Sequence, residues 1–186
     1  MTRIVAGQAG GRRLAVPQGG GTRPTGDRAR EALFSSLESQ LGGLAGLGFI
    51  DLYAGSGAVG LEALSRGARP VLLVESDRRA AVVAEANVRA VGLPGASVLV
   101  RPAERIGPNP GTPYDVLFAD PPYSLPSSEL GDVLTGLASG GWLAEDALIV
   151  VERGRREDWA WPDGFGALRD RRYGEARLWY GHRDPG

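Results

Sequence analysis

Asp51-Leu52-Tyr53-Ala54-Gly55-Ser56-Gly57-Ala58-Val59-Gly60 is the stretch from which the fold is read. Residues 49–53 (FIDLY) have the apolar content of a buried strand. Residues 55–60 form a glycine turn, and Ala58, Leu61 and Leu64 then share one face of a helix that Arg66-Gly67 closes. Glycine lets the backbone turn tightly and approach a ligand closely, and a strand, glycine turn and helix in that order form the setting of a nucleotide-binding loop.

The same alternation continues outward. Residues 71–74 read as a strand, 77–91 as a helix carrying Ala81, Ala84, Val88 and Val91 inward, and 97–100 as a third strand. Residues 116–119 give a fourth strand, a helix follows around Leu130, Val133, Leu134 and Leu137, and 147–151 give a fifth. Strands alternating with amphipathic helices predict an α/β fold, a parallel sheet covered on both faces. Upstream, Ala29, Leu33, Leu37 and Leu41 recur at four-residue spacing with Phe34 beside them, predicting a helix from Asp27 that Thr25 or Asp27 caps and Gly42-Gly43 ends. Downstream, residues 167–172 and 175–180 flank Gly174 and predict a terminal hairpin at the sheet edge.

Before Thr25, the density of glycine and proline and two short stretches, 3–6 and 12–16, predict an appended hairpin and loop. The chain of 186 residues thus divides into a basic extension, 1–24, and one main domain, 25–186.

Composition narrows the chemistry. Without cysteine there are no disulfides, no thiolate metal sites and no cysteine nucleophile. His182 is the single histidine and reads as a solvated tail side chain, so neither a zinc site nor a Ser-His-Asp triad is expected, and no metal is expected at all. No apolar run approaches the roughly 20 residues that span a bilayer, and the start lacks the apolar region of a signal peptide, so a cytoplasmic protein without membrane contact is expected. All 21 basic residues are arginine, and the net charge is −1. Yet residues 1–30 hold Arg3, Arg12, Arg13, Arg23, Arg28 and Arg30 against Asp27 alone, a candidate phosphate-contacting surface.

Gly55-x-Gly57-x-x-Gly60 also satisfies a dinucleotide fingerprint, and Glu75 ends the second strand where a ribose-binding carboxylate belongs. The loop by itself leaves NAD and S-adenosylmethionine both open. Asp51 favours the second: an acid inside a strand is costly to bury unless it accepts hydrogen bonds from the loop or from a bound ammonium, which S-adenosylmethionine carries and NAD lacks. A Tyr-x-x-x-Lys hydride-transfer pair is impossible in a chain without lysine.

Directly after the fourth strand stands Asp120-Pro121-Pro122-Tyr123. In open α/β sheets ligands bind beyond the carboxyl ends of the strands, so this turn faces the same crevice as Gly55 and Glu75. An amino group on a nucleobase is a poor nucleophile because its lone pair is delocalised into the ring. The Asp120 carboxylate and the Pro121 carbonyl can each accept one of its N–H groups and turn the lone pair toward a methyl donor. The prolines stiffen the turn, and Tyr123 offers a flat face for stacking a base.

Together these motifs resemble the class I methyltransferases that modify exocyclic nitrogens. The run from Arg23-Pro24-Thr25-Gly26-Asp27-Arg28 through Phe34, and the continuation of the glycine loop to Ala68, resemble the bacterial ribosomal RNA guanine-N2 methyltransferases of the RsmD type over nearly the whole chain. The resemblance implies a Rossmann-like, mostly parallel seven-stranded sheet with a reversed last strand and a small N-terminal β-hairpin that helps grip RNA. It implies N2-methylguanosine as product and small-subunit (16S) rRNA or the 30S particle as partner; a monomer is expected.

The cofactor-binding set it implies is Thr25, Asp51, Tyr53, Gly55, Ser56, Gly57, Glu75, Ser76, Ala103 and Glu104, with Asp120, Pro121, Pro122 and Tyr123 catalytic. Arg28 and Arg30 are implied to meet the methionine carboxylate or RNA phosphate. The chain departs from the family in having Pro102 where an acidic residue is usual, and Ala9 and Gly10 where an aromatic and a basic residue are usual. Related tetrapeptides also serve adenine-N6 and protein-glutamine methyltransferases, usually with asparagine in place of Asp120. No separate target-recognition domain is visible for reading DNA base edges. An RNA-binding module without activity is the remaining reading, and the intact tetrapeptide speaks against it.

Overall fold

A computed structural model describes residues 2–19 and 26–186. In chain order its elements are β1 (Thr2–Arg3), β2 (Arg13–Leu14), α1 (Asp27–Leu41), β3 (Phe49–Leu52), α2 (Ala58–Ser65), β4 (Val71–Glu75), α3 (Arg78–Val91), β5 (Ala96–Val100), β6 (Tyr114–Ala119), α4 (Ser127–Ser139), β7 (Leu143–Gly154), β8 (Phe165–Tyr173) and β9 (Ala176–Arg183). A 3-10 turn, Ala103–Arg105, follows β5. The main sheet has the order β5-β4-β3-β6-β7-β9-β8. β5 through β7 are parallel, and β9 enters antiparallel between β7 and β8, so the reversed last strand is found.

The sheet is covered on both faces, which is why β3 and β4 are nearly continuous apolar runs rather than alternating ones. One face packs Phe49, Phe118 and Val150 against Leu33 and Phe34 of α1, Leu61 of α2 and Ala84 of α3. The other packs Ile50, Leu117 and Ile149 against Leu130 and Leu134 of α4. Strands build outward one way from β3 to β5 and the other way from β6 to β7, which makes the gap between the ends of β3 and β6 the ligand crevice.

Gly60 sets how closely α2 approaches the sheet. A β-carbon there would stand 2.2 Å from Leu73 Cδ2 and 3.0 Å from Asp51 Cβ. Gly60→Ala is therefore expected to lower Tm through overpacking worth roughly 1–3 kcal/mol, read by thermal unfolding; an unchanged Tm would mean that α2 is free to shift.

Several expectations are corrected. The N-cap of α1 is Gly26, with no side-chain cap. Asp27 instead accepts from Thr2 Oγ1 and Arg30 Nη2, each at 2.9 Å, and Thr25 lies outside the described residues. β7 begins four residues before the expected 147, because exposed Glu145 and Asp146 interrupt the apolar pattern although Leu143 already pairs with Tyr114. His182 is no tail side chain: it sits within β9, one-third exposed, with Nδ1 3.5 Å from Asp184 Oδ1.

The N-terminal hairpin is found with strands of two residues each, and it is no loose appendage. Ile4, Ala9 and Leu14 are buried in the same cluster as α1, α2 and α3. Its backbone is held by the buried Glu62, which accepts Val5 N–H at 2.8 Å and Ala6 N–H at 3.0 Å, and by Ser65 Oγ, which accepts Ala9 N–H at 2.9 Å. Glu62 in turn meets Arg66 Nε at 3.0 Å and Arg30 Nε at 3.6 Å.

Candidate active site

Leu52 of β3 pairs with Ala119 of β6 and with Val74 of β4, and Ala119 pairs with Val151 of β7. The glycine loop, Glu75 and the tetrapeptide therefore stand side by side at one end of the sheet, next to Glu152 within β7. Strand alternation puts Asp51, Asp120 and Glu152 on one face, two residues beyond Phe49, Phe118 and Val150. Three carboxylates thus line the crevice floor, Asp120 level with Glu152 and Asp51 one residue pair deeper, opposite Phe118.

Asp51 is 2% exposed, and its Oδ2 accepts Gly60 N–H at 2.8 Å, tying strand to loop. Burial pushes its carboxyl up to about 8; the Gly60 bond opposes this, and Glu75 adds to it. Gly57 takes the left-handed conformation just before α2. Asn87, buried on α3, donates to Ser56 O at 2.9 Å and Ala15 O at 2.9 Å and accepts Ala15 N–H at 2.8 Å, fixing loop and N-terminal segment together. Glu75 uses both oxygens: Oε2 accepts Gly55 N–H at 2.7 Å and Oε1 accepts Asp77 N–H at 2.9 Å. Ser76 is exposed beside it.

Tyr53 has φ +61°, a left-handed conformation uncommon outside glycine and frequent at binding sites. Burial pushes its phenol up to about 12, with Glu104 adding and Arg153 opposing. These neighbours place its ring on the α4 side of the crevice. There a cavity of about 630 Å³ opens between the 3-10 turn and α4, lined by Ala103, Glu104, Leu125, Glu129 and Val133.

In the tetrapeptide, Pro121 is buried while Pro122 and Tyr123 are exposed, Tyr123 at 56%. Burial, with Glu152 and then Asp51 close by, holds the Asp120 carboxyl well above the usual carboxylate range; Arg153 opposes them. Arg153 is 3% exposed, donates from Nη2 to Leu125 O at 2.7 Å, and meets Glu157 Oε2 at 3.1 Å through Nε. It braces the loop that follows the tetrapeptide.

The arginines divide. Arg3, Arg13 and Arg28 are exposed, and Arg23 lies outside the described residues. Arg12 is exposed but committed: Nη1 donates to Ala90 O at 3.0 Å and to Val91 O at the C-terminus of α3. Arg30 is corrected outright. Its side chain is fully buried between Asp27, Glu62 and the Arg3 carbonyl, so it locks the hairpin to α1 and α2 and presents nothing to RNA. The sequence carried that signal, since Arg30, Leu33, Phe34 and Leu37 fall at i, i+3, i+4 and i+7, the buried stripe of α1. Asn87, Glu152 and Arg153 were not singled out either. Asn87 lies on the stripe of Ala84 and Val91, and Glu152 and Arg153 end an apolar strand beside the tetrapeptide.

A nucleotide-type glycine loop, an acid ending the next strand, an Asp-Pro-Pro-Tyr corner and an inserted antiparallel strand together define the class I methyltransferase architecture. The family described as conserved hypothetical protein 95 matches residues 2–182. The ribosomal RNA small subunit methyltransferase D of Escherichia coli (strain K12) is 40% identical over 150 residues, covering 81% of this chain and 73% of that protein. The solved structure of yhhF from Escherichia coli matches with a TM-score of 0.85 at 34% identity, over 100% of this chain and 99% of the other. Magnesium protoporphyrin IX methyltransferase from Synechocystis, solved with SAM bound, shares the fold at a TM-score of 0.66 and 17% identity, over 84% of this chain and 79% of the other. The chain belongs to the conserved hypothetical protein 95 family, the RsmD type that its motifs resemble, and is a methyltransferase.

Proposed function

We propose that this chain transfers a methyl group from S-adenosylmethionine to the exocyclic N2 amine of a guanine in small-subunit ribosomal RNA. The observation that carries the reading is the Asp120-Pro121 corner, rigid and set beside two further carboxylates at the ends of adjacent strands. A floor of acids whose charges repel suits a ligand that brings positive charge, and S-adenosylmethionine brings both an ammonium and a sulfonium. When bound, the sulfonium supplies an electrophilic methyl carbon.

The chain's own residues do the rest. Asp51 faces the ammonium, Glu75 accepts from the ribose hydroxyls, and Gly55 and Gly57 let the backbone come close, with Thr25, Tyr53, Ser56 and Ser76 around them. Ala103 and Glu104 border the adenine. Asp120 and the Pro121 carbonyl each accept one N–H of the guanine amine, which localises its lone pair, and Tyr123 stacks on the base. Positioning supplies most of the rate, and Asp120 takes the proton as charge builds on nitrogen. The target guanine is extruded from its RNA surroundings at a cost of a few kcal/mol. The enzyme acts on rRNA or the 30S particle as a cytoplasmic monomer.

The test is tritiated methyl transfer to small-subunit particles lacking their guanine-N2 modifications, followed by digestion to nucleosides. Label in N2-methylguanosine is expected; label in N6-methyladenosine, or in protein, would reassign the substrate.

Glu75→Ala is expected to weaken S-adenosylmethionine binding by roughly tenfold or more, since a carboxylate hydrogen bond contributes about 1.5–3 kcal/mol. Calorimetry reads this directly, and unchanged affinity would leave Glu75 with only its loop-bracing bonds to Gly55 and Asp77.

A further inference from the structure

β9 runs antiparallel to β7, so the turn between β8 and β9 lies at the end of the sheet where β6 and β7 deliver Asp120 and Glu152. The registers fix this: Arg153 of β7 pairs with Arg177 of β9, and Arg177 with Arg172 of β8, while Gly154 and Tyr173 both pair with Ala176. The chain leaving β7 stays bonded to that turn. Arg155 N–H donates to Glu175 O at 2.8 Å, and Arg155 Nη1 to Gly174 O at 3.4 Å.

Arg155, Arg156, Arg171 and Arg172 are all exposed on this tip. The acids flanking them pair chiefly with other arginines, and Asp170 also draws on the charges of Arg172 and Arg171. Glu157 meets Arg153 at 3.1 Å, and Asp170 meets Arg177 at 2.7 Å. Asp158 lies 3.7 Å from Arg177, whose guanidinium stacks 3.9 Å over the Trp179 ring. Asp158 and Glu175 are the exposed acids beside the four outer guanidiniums. Arg155 and Arg171 each give Nη1 to a carbonyl of the tip, Gly174 O and Asp170 O, whereas Arg12 gives its Nη1 to the C-terminus of α3, at the opposite end of the sheet from the crevice.

A base drawn into the crevice brings its flanking phosphates to the rim, so cations there act where the target strand must lie. We propose that the β8–β9 tip, with the turn after β7 bonded to it, holds the phosphate backbone of the substrate RNA through Arg155, Arg156, Arg171 and Arg172. The inference rests on the RNA reading given above and assigns its main electrostatic contact to the C-terminal hairpin rather than the N-terminal one.

The experiment measures binding of 16S rRNA fragments to the full chain across a salt series. Replacing the four arginines by alanine is expected to lower the slope of log affinity against log salt by about three, at roughly 0.7 per phosphate contact on single strands. Replacing the same four by lysine keeps the charges and is expected to keep the slope, which separates charge from any loosening of the tip. Calorimetric S-adenosylmethionine affinity reports whether each variant is folded. An unchanged slope in the alanine variant, an equal fall in the lysine variant, or a larger fall in Arg12→Ala/Arg13→Ala would overturn the proposal. So would loss of binding to the particle with naked-RNA binding intact, which would make the tip a protein contact. Failure of wild-type protein to methylate rRNA would instead defeat the underlying reading.

Discussion

Asp120→Ala is expected to reduce methyl transfer by about a thousandfold or more while S-adenosylmethionine affinity stays within a few-fold. Removing one preorganised hydrogen-bonding partner of a reacting group costs roughly a hundred- to a thousandfold, and Asp120 is also the proton's destination. Asp120→Asn keeps an acceptor oxygen and loses the basic one, so its loss should be smaller, and it carries a second signature. Burial and the neighbouring acids hold the Asp120 carboxyl above the usual range, so at low pH it is protonated and a poor acceptor. The wild-type rate should therefore climb with pH as Asp120 ionises, and that limb should be absent from Asp120→Asn. Single-turnover rates across pH read both effects; a large loss of cofactor affinity in Asp120→Ala would move the residue out of catalysis.

The second large effect is expected at Asp51. Its carboxyl titrates near 8 in the fold and near 3.8 in an unconstrained chain. Between those values the folded state holds a proton that the unfolded state has released, so stability falls as pH rises through this window and levels off above about 8. Asp51→Asn retains an oxygen to accept Gly60 N–H and removes the buried charge. It is expected to stabilise the unliganded protein by roughly 2–4 kcal/mol at pH 8 and to have little effect near pH 4. The same variant should bind S-adenosylmethionine more weakly and lose the rise in affinity expected of wild type from pH 6 to 8 as Asp51 ionises to meet the ammonium. Denaturant melts and calorimetry at both pH values decide this. Destabilisation at pH 8 would mean that Asp51 is held ionised by partners other than Gly60.

Most of the architecture was legible because two periodicities and a few glycines carry it. The runs ending at Leu52 and Val74 could only be strands covered on both faces, and the glycine turn and Asp-Pro-Pro-Tyr follow strands whose carboxyl ends must meet. What stayed hidden depends on contacts between elements distant in sequence. Arg30 was read as surface because arginine usually is, whereas the buried Glu62, contributed by α2, draws its guanidinium inside. The two carbonyls at the end of α3 that Arg12 Nη1 meets lie 78 and 79 residues away in the chain. The start of β7 was masked by the exposed Glu145 and Asp146. The carboxylate row becomes visible only when register aligns Asp120 with Glu152 across β6 and β7.

The most direct measurement is a crystal structure of the chain with S-adenosylhomocysteine and a guanosine-bearing fragment of 16S rRNA. The guanine N2 should lie within hydrogen-bond reach of both an Asp120 oxygen and the Pro121 carbonyl, facing the cofactor sulfur. A guanine held elsewhere, or an Asp120 carboxylate turned away from the sulfur, would contradict the mechanism.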